Sequence, residues 1–478
     1  MIARSAIYLI ALFSIQTSAE DLPDVNQVEQ AMVKATQYYR QNLSAGGGYA
    51  STWDLELSEG QSEHHSSPTI TSIQPHGTTT VGFAMTKAFQ ASGDLIFLQG
   101  ANEAAHALAW CQLSSGGWSS DFDSAPTFAS KYHYRRDLLA GDIEPGKRSN
   151  QSTLDDNKTQ SAILFLLELA HLPESEENRE LHDTLSFALK GLIDAQSANG
   201  GWPQKFTGPS DGSNTAKKAT FPESWPREWS GAKYDHYNTL NDGNILLAIE
   251  VLLRAWELTQ DETFLKSAER AGDFLLMAQF AEPQAGWAQQ YNESMHPVWA
   301  RKFEPPSLTS GESYGAIQAL FELWVATGNE KYISTLPSAL DWLESSKLPD
   351  GRWSRFYEMK TNRALYMTAE TYLLTYDDSN LPTHYGFKLA ESFGRKIERM
   401  RTELAKSREE ILRNRSDPDT LEKWAKRASE LKGKVKQALE SQEAKGYWTA
   451  GDRIDAGQYV EHIKAMTDYL EALKKSTY

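Results

Sequence analysis

The sequence predicts an all-α chain, an α/α toroid of helix hairpins closed by Gly-Trp loops, and three observations support it. A glycine-aromatic motif recurs as Gly47-Gly48-Tyr49, Gly116-Gly117-Trp118, Gly200-Gly201-Trp202, Gly286-Trp287 and Gly351-Arg352-Trp353. Its spacing of roughly 65–85 residues is that of a stacked repeat rather than of isolated turns. The segments between the copies carry apolar residues at helical spacing, and strand-like alternation is scarce.

Each element follows from that pattern. Ile163, Leu166, Leu167 and Ala170 share one helix face, and His171 and Pro173 stop it; Leu185, Leu189, Leu192 and Ile193 form the partner. Ile245, Ala248, Ile249, Leu252 and Leu253 repeat the arrangement with Phe264, Ala268, Phe274 and Leu275. Ile317, Leu320, Phe321 and Trp324 then pair with Leu340, Trp342 and Leu343. Helix pairs closed in a ring leave their loops at one end to form a groove. Two stretches, Ser58–Thr80 and Thr207–Lys233, break the periodicity and read as long loops over that groove, where long loops are often functional. From about residue 388 the chain becomes charged, with a thin apolar stripe at Ile397, Met400, Leu404 and Ile411. This divides the chain into residues 1–19 as a signal peptide, 20–387 as the toroid and 388–478 as a charged helical C-terminal extension containing a helical hairpin.

The leader assignment rests on Met1–Arg4 as a positive start, the apolar run Ile7–Ile15, and small residues Thr17-Ser18-Ala19 before Glu20-Asp21. It implies a secreted or periplasmic protein with no membrane attachment after cleavage. The single cysteine, Cys111, rules out an intrachain disulfide, so stability must come from the core. Net charge is −16; residues 391–478 carry 19 basic and 16 acidic side chains, which leaves −19 on the rest. Such an acidic body would repel nucleic acid and exerts no long-range pull on a polyanionic sugar. Recognition of an acidic polymer must therefore be local, through a few arginines and a cation.

Five clusters could supply it. Ser152–Thr159 places Asp155 and Asp156 beside Asn157 at a helix start, where carboxylates either cap the helix or bind a hard cation through oxygen. Gly200–Gln204 offers Trp202 as a flat face for a sugar ring, or as a structural loop residue like its counterparts in other repeats. Tyr234–Gly243 brings Asn241 and Asp242 to the next helix start, while His236, without ligand partners, reads as a surface histidine. Ala300–Ser307 holds Arg301 and Lys302 ahead of a stiff Pro305-Pro306. Arg352–Glu358 with Thr361-Asn362-Arg363 gathers arginines beside aromatics, and guanidinium forks suit carboxylates.

At these clusters the sequence resembles the pectic acid lyases, the toroidal family-ten polysaccharide lyases. Gly-Gly-Trp-Pro-Gln at 200–204, Asn-Asp at 241–242, Arg-x-Phe-Glu-Pro-Pro-Ser at 301–307 and Arg-Phe-Tyr-Glu-x-x-Thr-Asn-Arg at 355–363 follow the family order. Thr153-Leu154-Asp155 with Thr159 is similar to its Thr-Ile-Asp-Asn-x-x-Thr segment, and the likeness spans roughly residues 30 to 375. The resemblance implies anti β-elimination on pectate or a related polyuronate. On it, Asp155 and Asp242 hold Ca²⁺ and Arg301 is the base. Arg355 binds the substrate carboxylate with Arg363 in support, and Asn241, Trp202 and Lys302 complete the substrate site. The expected partner is an acidic polysaccharide and the expected state a monomer. An arginine base needs nearby positive charge, which Lys302, Arg355 and the cation are expected to supply. The sequence departs from the family where Arg-Asp-Gly would follow the last motif: Ala364–Thr371 contains no arginine. Alternatives are a non-catalytic carbohydrate-binding toroid and an unsaturated-uronide hydrolase. Gln112–Trp118 and Gln196–Trp202 also fit the Gln-x-x-x-Gly-x-Trp pattern of terpene cyclases, but Leu154-Asp155-Asp156 lacks the first acid of their proton-donor motif.

Overall fold

The computed structural model describes residues 22–213, 215–416 and 420–477, so the leader expected at 1–19 lies outside the described residues. In chain order the helices are α1 Val25–Tyr38, α2 Thr78–Ser92, α3 Leu95–Cys111, the short α4 Pro126–Ala129 and α5 Arg135–Leu139, then α6 Lys158–Ala170 and α7 Arg179–Asp194. They continue as α8 Asn244–Thr259, α9 Glu262–Ala278, α10 Ser310–Thr327, α11 Leu336–Ser345, α12 Ser392–Leu404, α13 Arg408–Ser416, α14 Leu421–Ser441 and α15 Ala456–Thr477. Helices α2/α3, α6/α7, α8/α9 and α10/α11 are hairpins, and α2, α6, α8 and α10 lie side by side as an inner layer. The inner helices are apolar almost all round, α6 being the clearest case, because they are covered by neighbours on every side. Outer helices such as α7 bury one stripe only.

The Gly-Trp loops turn each outer helix back toward the next hairpin, and all do it the same way. The buried indole N–H donates to a carbonyl near the end of the preceding helix: Trp118 to Leu108 O, Trp202 to Leu192 O, Trp287 to Leu275 O and Trp353 to Leu343 O, at 2.6–2.9 Å. A glutamine ahead of the loop ties successive repeats together. Gln112 Nε2 donates to Gly116 O and to Thr184 O of α7; Gln196 Nε2 donates to Gly200 O and to Ser267 O of α9. Glycine is required at position 200: its φ is +95°, and a Cβ there would lie 2.1 Å from Arg270 O.

The C-terminal segment corrects the expected boundary at 387/388. Gly446-Tyr447-Trp448 is a further copy of the loop: Trp448 donates to Ala438 O at 2.9 Å, and Gln442 Nε2 donates to Gly446 O and to Ala31 O of α1. Helix α15 packs on α1 and α2, with the Thr36 and Tyr459 hydroxyls 2.8 Å apart and the Tyr39 and Tyr459 rings stacked at 4.1 Å. First and last helices thus pair as one more hairpin, and α12 lies against α10 and α11. The segment is charged because its outer faces meet water, yet Val435, Ala438, Tyr459 and Met466 are fully covered. It completes the ring rather than extending it.

Candidate functional site

The inner helices all begin at the same end of the ring, so the turns that start them converge. Two of these turns are copies of each other. Thr153-Leu154-Asp155-Asp156-Asn157 enters α6, and Thr239-Leu240-Asn241-Asp242-Gly243 enters α8. In each, the threonine N–H donates to the carbonyl of the preceding repeat's tryptophan, Trp118 or Trp202. In each, the fourth residue is left-handed, Asp156 at φ +49° and Asp242 at φ +50°, and so is the residue after it. Left-handed backbone in a non-glycine residue is uncommon and marks a constrained turn. Its effect is to swing both carboxylates into the same space.

Carboxylate oxygens of Asp155, Asp156 and Asp242 lie within 4.8 Å of one another. Burial, and then the charges of Asp156 and Asp155, push the Asp242 carboxyl up to about 7, against a partial offset from Arg355. Burial and Asp155 also raise Asp156. Gln204 Nε2 donates to Asp155 at 2.7 Å, and Asn241 Nδ2 donates to Asp242 at 2.5 Å, which leaves buried Asn241 Oδ1 without a partner. Lys158 is the cluster's internal counter-charge. It is 1% exposed and lies 3.5 Å from Asp156, 3.7 Å from Asp155 and 3.1 Å from Glu63, which the 58–80 segment delivers. Burial would neutralise this ammonium, but the three acids outweigh it and raise its pKa. One ammonium among four carboxylates still leaves oxygen donors in excess, a set suited to a hard divalent cation.

The third inner helix adds Glu312 and, through it, an arginine. Arg355 Nη2 donates to Glu312 at 3.2 Å; Glu312, Asp242 and Arg355 line one cavity of about 310 Å³. The Glu312 Oε2 and Arg355 Nε atoms are buried without partners. Arg301 sits nearby in the loop before α10, gripped as a fork by Glu304: Nε to Oε2 at 2.8 Å and Nη2 to Oε1 at 2.5 Å. Burial would lower the Arg301 pKa, yet the buried Glu304 raises it overall, while Arg301 pulls Glu304 below the usual carboxylate range. Tyr385 joins the two arginines. Its ring lies 5.5 Å from the Arg301 guanidinium and 4.6 Å from that of Arg355, and its hydroxyl donates to Glu304 at 2.9 Å. Tyr234 is raised to about 12 by burial and then by Glu304, with Arg301 opposing the rise.

The structure therefore brings together Asp155, Asp242, Asn241, Arg301 and Arg355, and it separates three other expected residues from them. Trp202 is 0% exposed and spends its indole N–H on Leu192, so it cannot stack on a sugar. Lys302 points away, its ammonium 3.8 Å from the Tyr372 ring, so it does not supply the positive field expected around Arg301. Arg363 stacks at 3.4 Å on Tyr376, in a group with Glu358 and Arg227. The 207–233 loop straps this side of the site, with Trp229 donating to Ala300 O and Trp299 donating to Pro226 O. Asp156, Glu304 and Glu312 are additional charged members. The sequence already offers Asp156, beside Asp155, as a cap or cation ligand, whereas nothing local in it points to Tyr385. A larger cavity of about 710 Å³ lies between α2 and α15, but its lining, which includes Phe83, Lys87, Val460 and Glu471, holds none of the clustered acids or arginines.

Residues 126–352 match the pectic acid lyase family; the match ends three residues before Arg355. Among curated proteins no sequence match is found. Similar solved structures include a family 10 polysaccharide lyase from Cellvibrio cellulosa, 19% identical over 62% of this chain and 91% of that one, with a TM-score of 0.43. A mutant of a family 10 polysaccharide lyase from the same organism, in complex with trigalacturonic acid, is 19% identical over 63% and 92%, with a TM-score of 0.45. A glycoside hydrolase family 76 mannosidase from Bacteroides thetaiotaomicron is 12% identical over 95% and 99%, with a TM-score of 0.46.

Proposed function

From the match of residues 126–352 to the pectic acid lyase family, we infer that the protein is a polysaccharide lyase that cleaves polygalacturonate or a related polyuronate by anti β-elimination. The observation that carries the reading is the crowding of Asp155, Asp156 and Asp242 beside Arg355, with Asp242 pushed up to about 7 by burial and by the neighbouring carboxylates. Hard oxygen donors at this density, with Asn241 Oδ1 and Glu312 Oε2 unsatisfied at their edge, fit Ca²⁺. Bound there, Ca²⁺ would draw electron density from the uronate carboxylate and make its C5 proton more acidic.

The remaining work falls to the chain itself. Arg355, fixed between Glu312 and the Tyr385 ring, presents its guanidinium to the same carboxylate. Elimination takes the C5 proton and releases the C4 oxygen, forming a C4–C5 double bond. No water enters, so a hydrolase pair of carboxylates is not needed. Arg301 is the proposed proton acceptor, and Glu304 is the group that opposes it, because the fork stabilises the charged guanidinium. A base role therefore requires the proton to be displaced as substrate and cation add positive charge and exclude water.

The test is direct. Purified protein with polygalacturonate and Ca²⁺ should raise ultraviolet absorbance from the unsaturated product, and EDTA should abolish the rise. No absorbance with retained binding would turn the reading to a carbohydrate-binding toroid. The role of Arg301 has its own test. With Arg301 as base, activity climbs with pH beyond neutrality, and Glu304→Gln moves the climb to lower pH. If Arg301 only holds a carboxylate, Arg301→Lys keeps most of the activity and Glu304→Gln leaves the profile in place.

A further inference from the structure

Next to the acidic cluster, the 58–80 segment and the loop carrying α4 enclose a second cavity of about 360 Å³, whose lining includes His64, Asp121, Phe128, Tyr132 and Lys205. Thr153 also lines it, two residues from Asp155, and Glu63, beside the lining residue His64, pairs with Lys158, so the cavity lies beside the acidic cluster. Phe128 and Tyr132 present half-buried rings 5.5 Å apart, and His65 stacks on Phe128 while its Nε2 lies 3.0 Å from Asp123. Half-covered aromatic rings at a groove are faces on which a sugar ring can lie.

The charges decide which sugar. Asp121 is 7% exposed, and its Oδ1 has no hydrogen-bond partner. The three basic side chains of the lining are already committed: Lys205 Nζ lies 3.8 Å from Asp235, His64 Nε2 lies 3.3 Å from Glu63, and His65 Nε2 lies 3.0 Å from Asp123. A ligand carboxylate entering here would meet Asp121 and Glu63 with no uncommitted cation among the lining residues to offset them. A ligand hydroxyl would instead donate to Asp121 Oδ1 and satisfy it. We propose that this cavity is a sugar subsite beside the cleavage site that takes an uncharged pyranose, either an esterified uronate or a neutral sugar. The proposal rests on the lyase reading only for which polymer brings the ring there. It gives the protein a substrate with a free carboxylate at the cation and an uncharged ring one or more units away.

Binding in EDTA, where no turnover occurs, tests the subsite apart from the activity. The probes are trigalacturonate, its fully methyl-esterified form and a neutral galactotriose, titrated calorimetrically into the parent, Phe128→Ala and Asp121→Asn proteins, each checked for an unchanged melting curve. An uncharged probe should bind the parent more tightly than the free acid, and Phe128→Ala should weaken that binding by about tenfold. Asp121→Asn should narrow the gap by admitting the acid form. The tighter of the ester and the neutral trimer identifies the source of the ring. Equal binding of acid and uncharged probes by the parent, or uncharged-probe affinity untouched by Phe128→Ala, would overturn the subsite. Failure of the lyase reading looks different: no absorbance rise from any polymer with Ca²⁺, while the binding differences persist.

Discussion

Asp242 shows how single residues set the behaviour of this site. Its carboxyl is raised from 3.8 to about 7 by burial and by its acidic neighbours. Below about pH 4 it is protonated in both folded and unfolded chains and contributes nothing. Between about 4 and 7 the unfolded chain ionises it while the folded chain keeps the proton, so stability falls as pH rises; above about 7 the loss is constant. Without added cation, melting temperature should decline over that window, and Asp242→Asn should flatten the decline. Added Ca²⁺ should raise the melting temperature more at about pH 8 than at about pH 5, because near pH 5 it must displace a proton. Scanning calorimetry across pH with and without EDTA measures both effects. Trp202 makes the opposite point. Its indole fills a fully buried slot, so Trp202→Ala should cost about 3–5 kcal/mol in urea unfolding and leave the KM of the folded fraction unchanged. A rise in KM without loss of stability would restore it to the substrate site.

At the level of elements, the ring was legible because its repeat is written in residues with strict local demands. Glycine at position 200 is forced by the backbone, and a buried tryptophan recurs whose one N–H donor reaches a carbonyl of the preceding helix. The same signal at Gly446-Tyr447-Trp448 went unread, since the helices around it are charged on their solvent faces and the copy sits in unfamiliar composition. The acid turns were half legible. Asp155 and Asp242 can be named from motif and Asp156 from its place beside Asp155, whereas the left-handed turns that aim them together cannot be read from the sequence. The Tyr385 ring between Arg301 and Arg355, the Glu304 fork and the turn of Lys302 toward Tyr372 could not be read, because they depend on which loops cross in space. The 364–389 segment contains no arginine and contributes the face of Tyr385 to the Arg301 and Arg355 guanidinium groups.

On the scale of the whole molecule, the last hairpin is made from both chain ends, so the toroid should behave as one cooperative unit. A chain ending at Leu389 would leave α1 without the bond from Gln442, and its flanking residues Tyr39 and Pro23 without the stacked ring of Tyr459 and the bond from Tyr469. It is expected to lose cooperative unfolding and become protease-sensitive, as circular dichroism and limited digestion would show. A truncated chain that melts sharply at the parent temperature would contradict the closed ring.

The pairing of the first helix with the last also sets a clock on biosynthesis. The hydroxyls of Thr36 and Tyr459 meet across 423 residues of sequence. At roughly 5–20 residues per second, the ribosome needs about 20–85 s to deliver the second after the first. During that interval the apolar face of α1 has emerged and its cover has not yet been made. Each nascent chain must carry a sticky helix until translation ends, so newly made protein should depend on chaperone shielding more than its finished stability would suggest.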